Sequence, residues 1–217
     1  MRTGLVGLLC LAAVAAAAAA APARDRFDEL FARTLERRHA IQSIRASFTE
    51  TTTSSLLEKP IVAHGTVIAA PPARVIMTYT DPERRVVLID GQSLVVAWPD
   101  RNRRERVDIA QTQKRIDKYF TRADASELRA MFDIGDQPDP AVPGADRVVM
   151  RPRRKQIREG LERLELWIDG TSLLLKQMKM TFPGGDTKTI ALDAVTVNVP
   201  VSDATFQIRS GSDPFTR

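Results

Sequence analysis

The chain has 217 residues, with 32 lysines and arginines against 27 aspartates and glutamates, a formal charge of +5 and a single cysteine. So mild a basic excess gives no warrant for a nucleic-acid binder, one cysteine excludes a disulfide framework, and the length suits one domain with its own core.

Met1 and the lone cation Arg2 precede an unbroken apolar stretch from Gly4 to Val14 and a run of alanines to Ala21. That order of parts is a cleavable secretion signal, assigned to residues 1–23, and it takes the mature protein out of the cytoplasm. A cut after Ala20 or Ala23 meets the small-residue requirement, whereas Pro22 disfavours one after Ala21. A retained signal anchor is the alternative. Cys10 follows Leu9, where lipid attachment would want a small residue, and it leaves with the signal. The mature chain, 24–217, is then one thiol-free domain, and loss of Arg2 takes its charge from +5 to +4.

From Asp25 to Ile44 the apolar residues Phe27, Leu30, Phe31, Leu35, Ile41 and Ile44 recur at mostly three- and four-residue intervals, which predicts one amphipathic helix. From Ala46 to Val107 the period falls to two, and strands are expected near 46–54, 63–70, 73–80, 85–89, 93–98 and 104–109. Pro71-Pro72, Asp81-Pro82 and Asp90-Gly91 separate them as turns too short for anything but antiparallel pairing. Alternation stops between Gln111 and Phe132. There Asp124 and Glu127 make a capping-box start, and Leu128, Met131 and Phe132 share one helical face. A polar, proline-rich loop is expected from Asp136 to Gly144, then strands through Leu164, Leu166 and Ile168, through Met178, Met180 and Phe182, and near 186–193 and 195–199. The fold class is mainly β: about ten antiparallel strands with a long N-terminal helix and a short helical insertion, either curled into an incomplete barrel or split into a sandwich.

No catalytic signature stands out. His39 and His64 lack a second histidine or cysteine at ligand spacing, and no nucleophile elbow, phosphate loop or dinucleotide fingerprint occurs. Asp133, Asp136 and Asp139 lack the glycine and terminal glutamate of a calcium loop. We therefore expect no metal, no cofactor and no enzymatic activity. Two basic clusters remain. Arg101, Arg103, Arg104 and Arg106 form one, and Arg151, Arg153, Arg154, Lys155 and Arg158 the other. They are either solvated hairpin tips or, for the first cluster, a docking patch for a partner or for anionic headgroups; export and the absence of interleaved aromatics argue against nucleic acid.

The segment from Ala46 to Pro99 carries a longer pattern: Ala46-Ser47-Phe48-Thr49, Gly65-Thr66-Val67, a proline pair, a strand ending in Tyr79, Asp81-Pro82, and Asp90-Gly91 with Leu94 closing at Trp98-Pro99. Leu166-Trp167-Ile168-Asp169-Gly170 and the late Phe206 extend it more loosely. In order and spacing this resembles the LolA family, periplasmic carriers of outer-membrane lipoproteins. The resemblance implies an incomplete β-barrel with a helical lid, acyl chains held on the concave face, an inner-membrane transporter as donor, an outer-membrane acceptor, and a monomeric protein. It also implies an arginine immediately before the proline that ends the Gly65 strand, bonded to the lid. Here that position is Pro71, with Arg74 nearby.

On this reading the cavity would be lined by Phe48, Val67, Ala69, Met77, Tyr79, Leu94, Val96, Leu166, Ile168, Met178 and Met180, and the lid by Leu128, Met131 and Phe132. Ordinary core packing would produce the same list. Burying a sixteen-carbon chain at about 0.8 kcal/mol per methylene releases on the order of 10 kcal/mol, so a carrier has to hold its cargo imperfectly. A sensor that binds mislocalised lipoproteins without passing them on is the main alternative function, and a secreted hydrolase the second.

Overall fold

The structure is a computed structural model, and it describes residues 23–116 and 124–208. The predicted signal segment lies outside the described residues except for Ala23, and Cys10 lies outside them with it.

Helix α1 (Ala23–His39) leads into eleven strands: β1 (Ile44–Thr53), β2 (Ile61–Ala70), β3 (Arg74–Asp81), β4 (Arg85–Asp90), β5 (Ser93–Trp98), β6 (Arg103–Asp108), β7 (Phe132–Pro138), β8 (Ala145–Pro152), β9 (Arg163–Asp169), β10 (Leu175–Thr181) and β11 (Thr187–Val197). Between β6 and β7 come α2 (Ala110–Ile116) and α3 (Ala125–Met131), and α4 (Lys155–Arg158) follows β8. All pairs are antiparallel, in the order β6-β5-β4-β3-β2-β1-β11-β10-β9-β8-β7. β6 and β7 end the sheet without pairing to each other, so the barrel is incomplete. A sheet of this many strands accumulates twist and curls, and α1 and α3 pack on its concave side.

The six early strands lie within two residues of the expected positions. Three features differ. The predicted helix stops five residues early, at His39: Ile44 keeps helical spacing, but it pairs on both sides, with Ala69 of β2 and Val197 of β11. Two paired neighbours outweigh one more helical turn. The expected loop from Asp136 to Gly144 is in part β7, whose partner β8 was also not foreseen. The last two expected strands are one, β11, with a register shift against β1 and a positive φ of 50° at Ala194.

The register assigns faces. Tyr79 lies opposite Gly65, Gly65 opposite Phe48, and Phe48 opposite Leu192. Two residues along β11, Ile190 faces Met178, which faces Leu166, which faces Val148. All of these point to one side. Phe27 and Leu30 of α1 and Leu128 and Met131 of α3 pack on the same side against Phe132, Val148, Met150 and Leu164. The opposite, convex side has its own small core: Ala70, Leu88 and Val95 beneath Phe206 and Val201 of the C-terminal segment.

Candidate functional site: the concave face and its helical cover

All eleven predicted cavity residues fall on the concave face, in two groups. Leu166, Ile168, Met178 and Met180 lie beneath α1 and α3, half-buried against that core. Phe48 and Tyr79 are buried, with Val67 and Met77 half-buried beside them, and Ala69, Leu94 and Val96 complete the other half of the face.

The second half has an unusual burial pattern. On β4 and β5 the convex residues Val86, Leu88, Val95 and Ala97 are buried, while the concave residues Val87, Ile89, Leu94 and Val96 are only half-buried. The inner face of an ordinary curled sheet is its core and would show the reverse. Here the C-terminal segment fills the back, and the front keeps an apolar surface part open.

Phe48 shapes this surface. Its ring meets Tyr79 edge-on, with centroids 4.9 Å apart, and it lies over Gly65. A Cβ at position 65 would come 2.7 Å from the Phe48 ring and 2.2 Å from the Thr78 carbonyl oxygen. Glycine is required there by close approach, not by backbone angle. At the end of the face stands a buried carboxylate, Glu50, 5% exposed. It accepts from Tyr79 Oη at 2.9 Å, Lys188 Nζ at 3.2 Å and Arg85 Nη2 at 3.4 Å. Burial raises the Tyr79 phenol above its ordinary pKa, so it stays a donor to Glu50.

The predicted lid is α3, opened by the expected capping box. The Asp124 carboxylate accepts from the Glu127 backbone N–H at 2.8 Å, and that bond holds its pKa below the usual range. Leu128 and Met131 point into the core, but Phe132 is not part of the helix. Its φ of −128° and ψ of 146° are extended, and it begins β7. α3 is thereby tied directly to an edge strand.

Contacts that the sequence did not reveal bind the cover to the sheet. Arg26 of α1 donates from Nη2 to Asp146 at 2.7 Å, and its Nε is 3.8 Å from Asp136. Arg129 of α3 reaches Asp28 of α1 at 3.0 Å, and Arg33 donates to the Gly170 carbonyl at 3.5 Å. Arg74 does otherwise. It pairs with Asp203 at 2.6 Å and lies 4.6 Å over the Phe206 ring, clamping the C-terminal segment to the convex side. Among the described residues it is Arg26 of α1, not Arg74 beside the Pro71 turn, that ties the cover to the sheet.

Asp136 is the strained member of this contact. Its side chain is 2% exposed, both carboxylate oxygens lack a hydrogen bond, and desolvation raises its pKa against the opposing pull of Arg26. A raised folded-state pKa means that stability falls as pH climbs from the ordinary carboxylate value, about 3.9, through the raised one. Asp136→Asn is therefore expected to stabilise the protein near neutral pH, and the gain should vanish below about pH 3, where the wild-type carboxyl is protonated in both states. Urea unfolding of both proteins at the two pH values checks this.

The acidic trio of the sequence is dispersed. Asp133 pairs weakly with Arg153 at 3.5 Å, Asp136 faces Arg26, and Asp139 accepts from the Trp167 indole at 3.0 Å. Among the described residues no group of three or more His, Cys, Asp or Glu is placed to hold a metal ion. The arginine cluster also divides. Arg103, ion-paired with Glu105 and 5.3 Å over Trp98, shares the concave face, while Arg104 and Arg106 alternate onto the other. Arg101 pairs with Glu83 in the turn between β5 and β6. No helix among the described residues is long and apolar enough to cross a membrane.

Solved structures share this fold at low identity. An uncharacterized conserved protein from Thermus thermophilus aligns with 83% of this chain and 94% of its own at 13% identity and a TM-score of 0.53. Mycobacterium tuberculosis lipoprotein LppX aligns with 82% of this chain and 98% of its own at 14% identity and a TM-score of 0.51. The complex of Pseudomonas aeruginosa MucA and MucB is matched at 16% identity and a TM-score of 0.48, over 87% of this chain and 62% of that one. No curated protein sequence matches significantly. The family model described as outer membrane lipoprotein carrier protein LolA matches residues 39–209, from the end of α1 to just past Phe206, and on that match the chain belongs to the LolA family.

Proposed function

We propose that this protein is a periplasmic, non-enzymatic carrier that shields the acyl chains of a lipoprotein, or of a related acylated amphiphile, on its concave face and conveys it from the inner to the outer membrane. The observation that carries the reading is the inverted burial of β4 and β5, an apolar front left half open while the back is sealed. The family match supports a carrier role in kind. An inner-membrane transporter would load the face, and an outer-membrane acceptor would empty it.

Cargo enters by displacing α1 and α3 from Leu166, Ile168, Met178 and Met180. The helices bury the same surface that an acyl chain would, so the cargo gains less than the roughly 0.8 kcal/mol per methylene of a transfer from bare water. Binding stays weak enough for hand-over without an energy source. Three half-buried methionines on this face, Met77, Met178 and Met180, have unbranched side chains that repack around chains of different shape.

The test is a transfer assay with the mature protein, inner-membrane vesicles bearing a radiolabelled acylated lipoprotein, and separable acceptor vesicles. A carrier makes the label soluble in complex with itself and delivers it to the acceptor. A soluble complex that delivers nothing would identify a sensor instead, and no soluble complex at all would refute an acyl-binding function.

A further inference from the structure

At the Tyr79 end of the concave face the apolar surface gives way to a cluster whose charges do not cancel. Arg85 and Lys188 share the single carboxylate of Glu50, so two positive charges and one negative leave +1. Both cations remain about a third exposed, with side chains 30% and 34% accessible. The Arg85 guanidinium carbon lies over the Tyr79 ring, 3.9 Å from its centroid, and its Nε is buried without a hydrogen-bond partner. A buried donor without an acceptor is unfavourable, and an arginine edge is shaped to take a carboxylate through two parallel bonds. Two strands from Arg85, on β6, Arg103 is already neutralised by Glu105, so the uncompensated charge sits at Arg85 and Lys188.

We propose that this cluster binds the carboxylate of a free long-chain fatty acid, with the tail running from Tyr79 past Met77 and Val67 along the half-open face. The inference rests on the acyl-binding reading of that face and adds the head group. The singly charged acid matches the residual +1, whereas a phosphate monoester carries between one and two negative charges near neutral pH. Along β3 the concave residues from Tyr79 to Val75 span about 13 Å at roughly 3.3 Å per residue, about two thirds of an extended palmitate chain. Tyr79 donates to Glu50 and keeps that carboxylate from turning toward the incoming acid.

The experiment is displacement of bound cis-parinarate from the mature protein by palmitate, hexadecanol and hexadecyl phosphate, which share one tail and differ in head. Palmitate is expected to bind about tenfold to a hundredfold tighter than hexadecanol, the worth of one or two charge-assisted hydrogen bonds. In Lys188→Gln and Arg85→Gln, each checked for fold by circular dichroism, that ratio should fall toward one. Equal affinity of the wild-type protein for palmitate and hexadecanol would overturn the head-group site while leaving the acyl face standing, and this comparison needs no variant. Tighter binding of hexadecyl phosphate than of palmitate would overturn the choice of a carboxylate. A ratio unchanged in both variants would overturn the assignment to these residues. Failure of all three ligands to displace the probe would overturn the acyl reading along with the proposal.

Discussion

Truncating Phe132 to alanine is expected to lower the unfolding free energy by about 3–5 kcal/mol, the range for a large aromatic removed from a closed core. Phe132 is 0% exposed and lies where three elements meet: α3, which ends one residue before it, α1 through Phe27 and Leu30, and β8 through Met150. The bond from Arg153 N–H to the Met131 carbonyl, 2.8 Å, holds the start of β7 against β8. For a chain of this size the loss corresponds to a fall in Tm of roughly 10 °C. The functional consequence is separate from the stability. With its C-terminal anchor gone, α3 should leave the concave face, and amides of residues 125–131 should exchange with solvent faster than those of β1 and β11. A thermal melt together with residue-resolved hydrogen exchange measures both. A Tm shift under about 3 °C would show that Phe132 does not hold cover and sheet together.

Gly65→Ala should have the next largest effect, about 3 kcal/mol at the upper end of overpacking costs, although it adds one methyl group. The Thr78 oxygen that the new Cβ would meet belongs to the backbone of β3 and is fixed by strand pairing, so relief requires β2 and β3 to move apart. The Phe48 ring would be pushed at the same time, and it can yield only by leaving its edge-on contact with Tyr79. Because Tyr79 holds Glu50, the displacement should spread to the polar end of the face. The expected signs are a lower urea midpoint with an unchanged slope, and a shifted near-ultraviolet spectrum from the disturbed Phe48–Tyr79 pair. An alanine variant as stable as the wild type would mean that the ring does not lie over Gly65 in solution.

Much of the architecture was legible because turn chemistry and periodicity agreed. Between β2 and β6, Pro71-Pro72, Asp81-Pro82 and Asp90-Gly91 stop each strand at a residue that cannot pair or that turns the chain, and the alternation between them leaves one solution. β7 was hidden because Gly135, Asp136, Gln137 and Pro138 read as a loop. They form a strand because Arg26, 110 residues earlier in the chain, supplies the countercharge that lets Asp136 go under α1. No local pattern carries a contact of that kind.

The same holds for the site. The apolar residues of the concave face could be named because strand alternation picks out every second residue, but which side they faced depended on the register across β1 and β11. The hold on the cover through Arg26, Asp136 and Asp146 was not legible, and neither was the meeting of Glu50 with Lys188 across 138 residues. The division of the arginine cluster was partly within reach, since a strand expected at 104–109 already sends Arg104 and Arg106 to one side, and β6 beginning one residue earlier sends Arg103 to the other. Arg74, near the Pro71 turn, proves to belong to the convex clamp on Asp203 and Phe206, a partnership set by where the C-terminal segment returns.

An acyl chain carried by this protein should lie on one side of β2 and β3 and not on the other. A photoreactive amino acid placed singly at Val67 or Met77, which lie on the concave face, and at their strand neighbours Thr66 or Thr78, which face away, tests this with a radiolabelled acylated lipoprotein as cargo. Crosslinks to the acyl chain from positions 67 and 77, with none from 66 and 78, are the predicted result. Equal labelling from all four positions, or labelling from 66 and 78 alone, would contradict it.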